Sequence, residues 1–164
     1  MRQSIVVMGV SGSGKSTIGQ KLAAKLGGRF VDADDLHPAE NIAHMKAGHP
    51  LTDDMRRPWL TVCGDALASE PTVLACSALK RTYRDQMRGH VPDLLFVYLD
   101  GSYDQIAARL TKRQAHFMPQ TLLDSQFEAL EPPTSDERAL SVGIADSADQ
   151  IVKTILDELA DLGA

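Results

Sequence analysis

Gly9-Val10-Ser11-Gly12-Ser13-Gly14-Lys15-Ser16 decides how the rest of the chain is read. Its spacing is G-x-x-x-x-G-K-[ST], the phosphate-binding loop or P-loop. The glycines let the backbone bend tightly and press its N–H groups against phosphate oxygens. Lys15 is a point charge able to reach β- and γ-phosphates, and Ser16 offers a hydroxyl to Mg²⁺. Upstream, Ile5-Val6-Val7-Met8 is a short apolar run suited to a buried strand. Downstream, Ile18, Leu22 and Leu26 recur every four residues on one helix face, and Gly27-Gly28 ends the run. Strand, loop and helix in that order aim the helix's positive end at an anion. A ligand-free Gly/Ser-rich turn does not require such flanks. The nucleotide-binding positions are therefore Gly9, Ser11, Gly12, Ser13, Gly14, Lys15, Ser16 and Thr17, with ATP and Mg²⁺ as the expected cofactors.

The 164 residues suffice for one domain with a sizeable core, with or without a small lid. Hydrophobic residues make up 43% and charged residues 24%, as in ordinary globular chains. A net charge of −5 argues against a general nucleic-acid binder, so any positive charge must be concentrated locally. No apolar run approaches membrane-spanning length, and the first residues lead into a strand rather than a signal peptide. Cys63 and Cys76 form no disulfide framework and no C-x-x-C pair, so both are expected to be reduced thiols in a cytoplasmic protein.

Strands are expected at 4–9, 29–31, 72–76 and 94–99, with a weaker one at 139–144. Helices are expected at 15–27, 38–48, 53–69, 80–88, 103–113, 119–129 and 147–161. Most strand segments are continuously apolar and alternate with helices, which predicts a parallel sheet covered on both faces. Ligands then bind beyond the carboxyl ends of the strands, where the P-loop, Asp32, Asp34 and Ser77 fall.

Asp32 and Asp34 follow the second strand and face the P-loop crevice in this topology. Phosphoryl transfer to an alcohol needs a carboxylate to orient and deprotonate the hydroxyl, and acidic groups near Mg²⁺ or its waters. Asp34 fits the first role and Asp32 the second; Asp35 is assigned to turn and N-cap chemistry. Lys80, Arg84 and Arg88 stand at i, i+4 and i+8, where like charges repel and an anionic partner would relieve them. Lys80, nearest the strand end, is the expected ligand contact, and Arg88 is expected on a solvated face. Arg109 and Arg113 share the same spacing and suit either a phosphate clamp or surface charge. The five histidines show no metal-ligand spacing with the cysteines, and Trp59 reads as a core anchor.

Longer segments carry a resemblance. Asp32-Ala33-Asp34-Asp35-Leu36-His37-Pro38, Asn41, Lys46-Ala47-Gly48, Pro50-Leu51-Thr52-Asp53-Asp54 and Arg56-Arg57-Pro58-Trp59-Leu60 resemble the gluconate kinases. So do Cys76-Ser77-Ala78-Leu79-Lys80, Tyr83-Arg84-Asp85, His116-Phe117-Met118-Pro119 and Ser125-Gln126-Phe127-Glu128-Ala129-Leu130-Glu131, which extends the likeness to about Pro132. The P-loop is common to many kinases and NTPases; D-x-D-x-L-H-P together with P-W-L is far more specific.

The resemblance implies transfer of the ATP γ-phosphate to the 6-hydroxyl of D-gluconate. It implies an α/β, three-layer P-loop kinase fold: one domain over 1–164, a parallel five-stranded sheet with helices on both faces, and a small helical lid at roughly 113–133. Carried onto these residues, Lys15, Asp34, Arg109 and Arg113 are catalytic. Asp34, His37, Arg56, Lys80 and His116 bind the substrate, and Ser16 and Asp32 serve the metal. A homodimer is implied as well. Two departures stand out: Met55 occupies a position that is often acidic, and Val142-Gly143-Ile144-Ala145-Asp146 is a weak version of the last-strand ending, which leaves adenine contacts open. The competing readings are another small-molecule kinase of the shikimate type and a nucleotide-binding switch. A switch has no need of the Asp32/Asp34 pair and the basic cluster.

Overall fold

A computed structural model describes residues 1–112 and 120–163. Five strands, β1 (Ile5–Met8), β2 (Arg29–Asp32), β3 (Thr72–Ala75), β4 (Leu95–Asp100) and β5 (Ala139–Gly143), form one parallel sheet in the order β2-β3-β1-β4-β5. Around it lie α1 (Lys15–Leu26), α2 (Ala39–Lys46), α3 (Asp53–Ser69), α4 (Arg81–Arg88), α5 (Tyr103–Lys112), α6 (Gln120–Ala129) and α7 (Ala148–Asp161). The expected elements are all present, with ends shifted by a residue or two. A single 3-10 turn at Ala33–Leu36 was not expected.

Side chains along a strand point alternately to the two faces of the sheet, and two cores result. Ile5, Val7, Val73, Leu95, Val97 and Leu99 pack with Ile18 and Leu22 of α1 and Ile151 and Ile155 of α7. Val6, Met8, Leu74, Phe96 and Tyr98 pack with Trp59, Leu60, Cys63 and Leu67 of α3 and Tyr83 and Met87 of α4. Burial on both faces explains why these strands read as unbroken apolar runs.

The central strand β1 sits between β3 and β4, so the chain leaves it at the crevice where the strand order reverses. Two further bonds, Cys76 N–H to Val7 O (3.1 Å) and Gly9 N–H to Ser77 O (3.3 Å), carry the β1–β3 pairing into the loops beyond. The P-loop and the 76–80 loop are thereby fixed side by side at the carboxyl edge.

Candidate active site

The phosphate cradle is built by local backbone geometry. Gly9 has φ +154°, and a Cβ there would lie 2.7 Å from Ser13 Oγ and 3.1 Å from the Leu99 carbonyl. The Ser13 hydroxyl beneath it is buried without a partner among the described residues. Helix α1 begins after Gly14 (φ +99°) with no side-chain cap and no acidic residue in its first turn. Helices α3 and α7, by contrast, are capped by Thr52 and Ser147. An uncapped helix start leaves N–H donors open at the point where a phosphate needs them.

Lys15 Nζ donates to Val10 O at 3.0 Å, folded back over its own loop. Burial of the ammonium lowers its pKa, opposed by Cys76, Asp34 and Asp32. Ser16 Oγ donates to Asp32 Oδ2 at 3.0 Å, which brings the two expected metal positions together. A hydroxyl and a carboxylate beside a phosphate cradle form an all-oxygen donor set, which suits Mg²⁺ completing its shell with phosphate and water. Asp32 Oδ1 also accepts from Asp34 N–H at 3.0 Å, so Asp32, rather than Asp35, caps the 3-10 turn.

That cap lifts Asp34 into the cleft. Its side chain is 87% exposed and stands within electrostatic reach of Asp32, His37 and Lys15. Partial desolvation there, followed by the Asp32 charge, pushes its pKa upward, while His37 and Lys15 pull it down. His37 Nε2 lies 3.9 Å from Asp34 Oδ1. The tautomer can be argued from its neighbours. Asn41 Nδ2 donates to Met55 O (3.2 Å) and faces His37 Nδ1 (3.3 Å), so Nδ1 accepts and the ring proton sits on Nε2, toward Asp34. Burial lowers the His37 pKa, with Arg56 adding to the effect and Asp34 opposing it, which favours this neutral form. The imidazole stacks on Trp59 (centroids 4.2 Å apart, planes at 15°), whose indole N–H donates to Ala33 O at 2.7 Å. Trp59 is the expected core anchor and also the platform for His37. Asn41, 3% exposed, spends its amide on His37 and Met55 O.

The other wall holds two cations over one ring. Arg56 and Lys80 lie 5.3 and 5.7 Å from the Tyr83 centroid. Arg56 Nη1 donates to Leu51 O (2.7 Å) and Tyr83 Oη (3.2 Å). Asp53 accepts from Tyr83 O–H at 2.5 Å and sits 3.6 Å from Lys80 Nζ and 3.8 Å from Arg56 Nη1. The Tyr83 hydrogen bond is the first cause of the lowered Asp53 pKa, aided by Lys80 and Arg56 against desolvation. Asp53 and Tyr83 stood in the resembling segments but were given no role; the i, i+3 spacing of Asp53 and Arg56 was the available signal.

The basic stripe on α4 corrects an expectation. Arg84 and Arg88 do not await an external anion, and Arg88 is not on a solvated face. Arg84 is fully buried and forks onto both carboxylate oxygens of Glu137 (2.7 and 3.0 Å), and Arg88 Nη2 donates to Glu137 Oε1 at 2.8 Å. Arg84 Nη1 also holds the carbonyls of Ala78 (2.9 Å) and Leu79 (3.2 Å), where Ala78 adopts φ +46°, unusual for a residue with a Cβ. Arg84 therefore shapes the loop that presents Lys80, and Lys80 itself precedes the helix instead of starting it. Nothing near Glu137 in the sequence pointed to it.

Arg109 reaches the P-loop from α5, donating to Ser13 O (3.3 Å) and to Ile144 O. Helix α6 also docks on the loop: Gln126 bonds Ser11, while Glu131 N–H donates to Leu79 O (2.8 Å) and Glu131 Oε1 accepts from Arg81 N–H (2.9 Å). Arg113, His116 and the first part of the expected lid lie outside the described residues.

In sequence and fold this chain is similar to known kinases. A shikimate kinase family pattern matches residues 11–160. The thermosensitive gluconokinase of Escherichia coli K12 is 51% identical over 141 residues, covering 83% of this chain and 75% of that protein. The gluconokinase of Gluconobacter oxydans is 46% identical over 160 residues, covering 94% and 88%. Among solved structures, a gluconokinase from Sinorhizobium meliloti superposes with a TM-score of 0.92 at 50% identity, covering 99% of this chain and 95% of that one. Shikimate kinase from Aquifex aeolicus, at 19% identity and a TM-score of 0.66, shares the fold.

Proposed function

That this chain belongs to the gluconokinase family, within the wider group described by the shikimate kinase pattern, is the premise from which we propose its reaction and residue roles. The enzyme transfers the γ-phosphoryl group of ATP to the 6-hydroxyl of D-gluconate, giving 6-phospho-D-gluconate and ADP. One observation carries this reading. An uncapped helix start with Lys15 shares its cleft with Asp34, and beyond that aspartate stand His37, Arg56 and Lys80.

The P-loop amides and Lys15 take the phosphates, with Lys15 exchanging Val10 O for phosphate oxygen. Ser16 and Asp32 would hold Mg²⁺, which screens phosphate charge when bound. Asp34 accepts the proton of the 6-hydroxyl as that oxygen bonds to phosphorus and the bond from phosphorus to the ADP oxygen breaks. A carboxylate with a raised pKa is a stronger base for this step. His37 presents its Nε2–H beside Asp34, where it orients the base and the sugar hydroxyls. Arg56 and Lys80 bind the gluconate carboxylate in the place that Asp53 now occupies; the match of one carboxylate for another supports this assignment. Arg109, already on the P-loop, and Arg113 add positive charge to the transferring group. His116 joins the substrate-binding set, and the lid over 113–133 excludes water, the competing acceptor. The homodimer implied by the resemblance is checked by sedimentation.

A coupled assay for ADP tests the reaction. Turnover should require gluconate. Turnover with another polyol acid and none with gluconate would overturn the assignment of the acceptor.

A further inference from the structure

Helix α6 places one side chain on the phosphate cradle. Gln126 Oε1 accepts from Ser11 N–H at 2.7 Å, and Gln126 Nε2 donates to Ser11 Oγ at 2.8 Å. The orientation of this carboxamide follows from chemistry. A backbone N–H can only donate, so the oxygen must face it and the NH₂ must face the hydroxyl. Ser11 Oγ is therefore an acceptor in this pair, and its own proton is directed elsewhere. No acceptor for that proton is found among the described residues. The other loop hydroxyls are placed differently: Ser16 is engaged with Asp32, and Ser13 is buried under Gly9.

The helix that carries Gln126, within the expected lid, packs against the body of the domain. Leu123 is 3% exposed, and Glu131 just beyond the helix is bonded to Leu79 and Arg81. Gln126 thus comes from an element tied to both the nucleotide side and the Lys80 loop. Its neutral amide is the informative feature. A glutamate of the same shape would still accept from Ser11 N–H, but its second oxygen would draw the Ser11 proton toward itself.

We propose that Gln126 is a positioning residue for phosphoryl transfer: by donating to Ser11 Oγ it turns that hydroxyl outward, to donate to the transferring phosphoryl group. This rests on the kinase reading above. It gives the P-loop a hydroxyl donor in addition to its amides and Lys15, set from the α6 side.

The test is a double-mutant cycle of Ser11→Ala and Gln126→Glu. Loss of one preset donor to a transition state costs on the order of 10²-fold in kcat. Each single variant should lose about that much kcat, with KM for gluconate within threefold of wild type. The double variant should lose little beyond Ser11→Ala alone, because the hydroxyl to be misdirected is already absent. Calorimetry gives a readout apart from activity: the affinity for adenosine imidotriphosphate relative to ADP should fall in both single variants, again without adding in the double. A Gln126→Glu variant within twofold of wild-type kcat overturns the proposal. So does an equal Gln126→Glu loss in the Ser11→Ala background, which would mark a charge or folding effect. If Gln126→Glu does not fold, Gln126→Met takes its place under the same non-additivity criterion. Failure of the wild type to consume ATP with gluconate would instead sink the acceptor assignment, and the ADP-relative affinities would still decide the role of Gln126.

Discussion

Asp34 is tuned by where it stands. Partial desolvation and the neighbouring Asp32 charge push its pKa upward. Two outcomes follow. As pH falls through the raised pKa the base is protonated, so kcat/KM for gluconate should decline on an acid limb lying above the ordinary aspartate value of about 3.9. In stability the sign is opposite. A carboxyl whose folded pKa exceeds its unfolded one is destabilising once both states are ionised, so at pH 7 Asp34→Asn should keep or slightly raise the melting temperature. The same variant should lose roughly 10²–10⁴-fold in kcat while still binding ATP. Retained turnover would remove Asp34 from the base role. His37 has a different logic: Asn41 on Nδ1, Trp59 on its face and burial together hold it neutral with its proton toward Asp34.

At the scale of elements, helix starts differ: α3 and α7 are capped by side chains, whereas α1 has none and begins in the P-loop. Ser147 accepts from Gln150 N–H at the start of α7, and nothing equivalent serves α1. Ser147→Ala should cost about 1 kcal/mol in urea unfolding and leave kcat unchanged. Helix α4 is held through Glu137. Burial alone would raise that carboxyl's pKa, but Arg84, the Thr134 N–H and Arg88 outweigh it and hold the value at about 2. A folded pKa below the ordinary 4.5 adds stability above pH 4.5, which is lost as pH falls toward 2. Glu137→Gln leaves Arg84 charged and unmatched in the interior, a change that costs about 3–5 kcal/mol. Because Arg84 also holds the Ala78 and Leu79 carbonyls, KM for gluconate should rise in the same variant. An unfolding curve and a steady-state assay read the two effects separately.

Over the whole molecule, the proposed sites for both substrates lie at one edge of the sheet, so ligand binding should couple to global stability. ADP with Mg²⁺ at a hundred times its Kd should add about 2.7 kcal/mol. For a chain of this length that is a rise of several degrees in melting temperature, and EDTA should diminish it and abolish gluconate-dependent ADP formation. An unchanged melting temperature with nucleotide would contradict the P-loop assignment. Among the described residues no helix is long and apolar enough to cross a membrane.

The order of strands and helices, the doubly covered sheet and the phosphate loop were all legible in the sequence. Each depends on residues close together along the chain: apolar runs, a four-residue helical period and glycines at set spacings. Asp32, Asp34 and Lys80 could also be placed, because strand ends in a parallel sheet share one edge. What only the tertiary structure decided are the pairings over long separations. Glu137 lies 53 residues from Arg84, Gln126 lies 115 from Ser11, and Tyr83 lies 30 from Asp53. A charge in a sequence does not state its partner. Arg84 and Lys80 look alike on one helical stripe, and only the packing of the 134–137 loop against α4 neutralises the first and leaves the second facing the cleft.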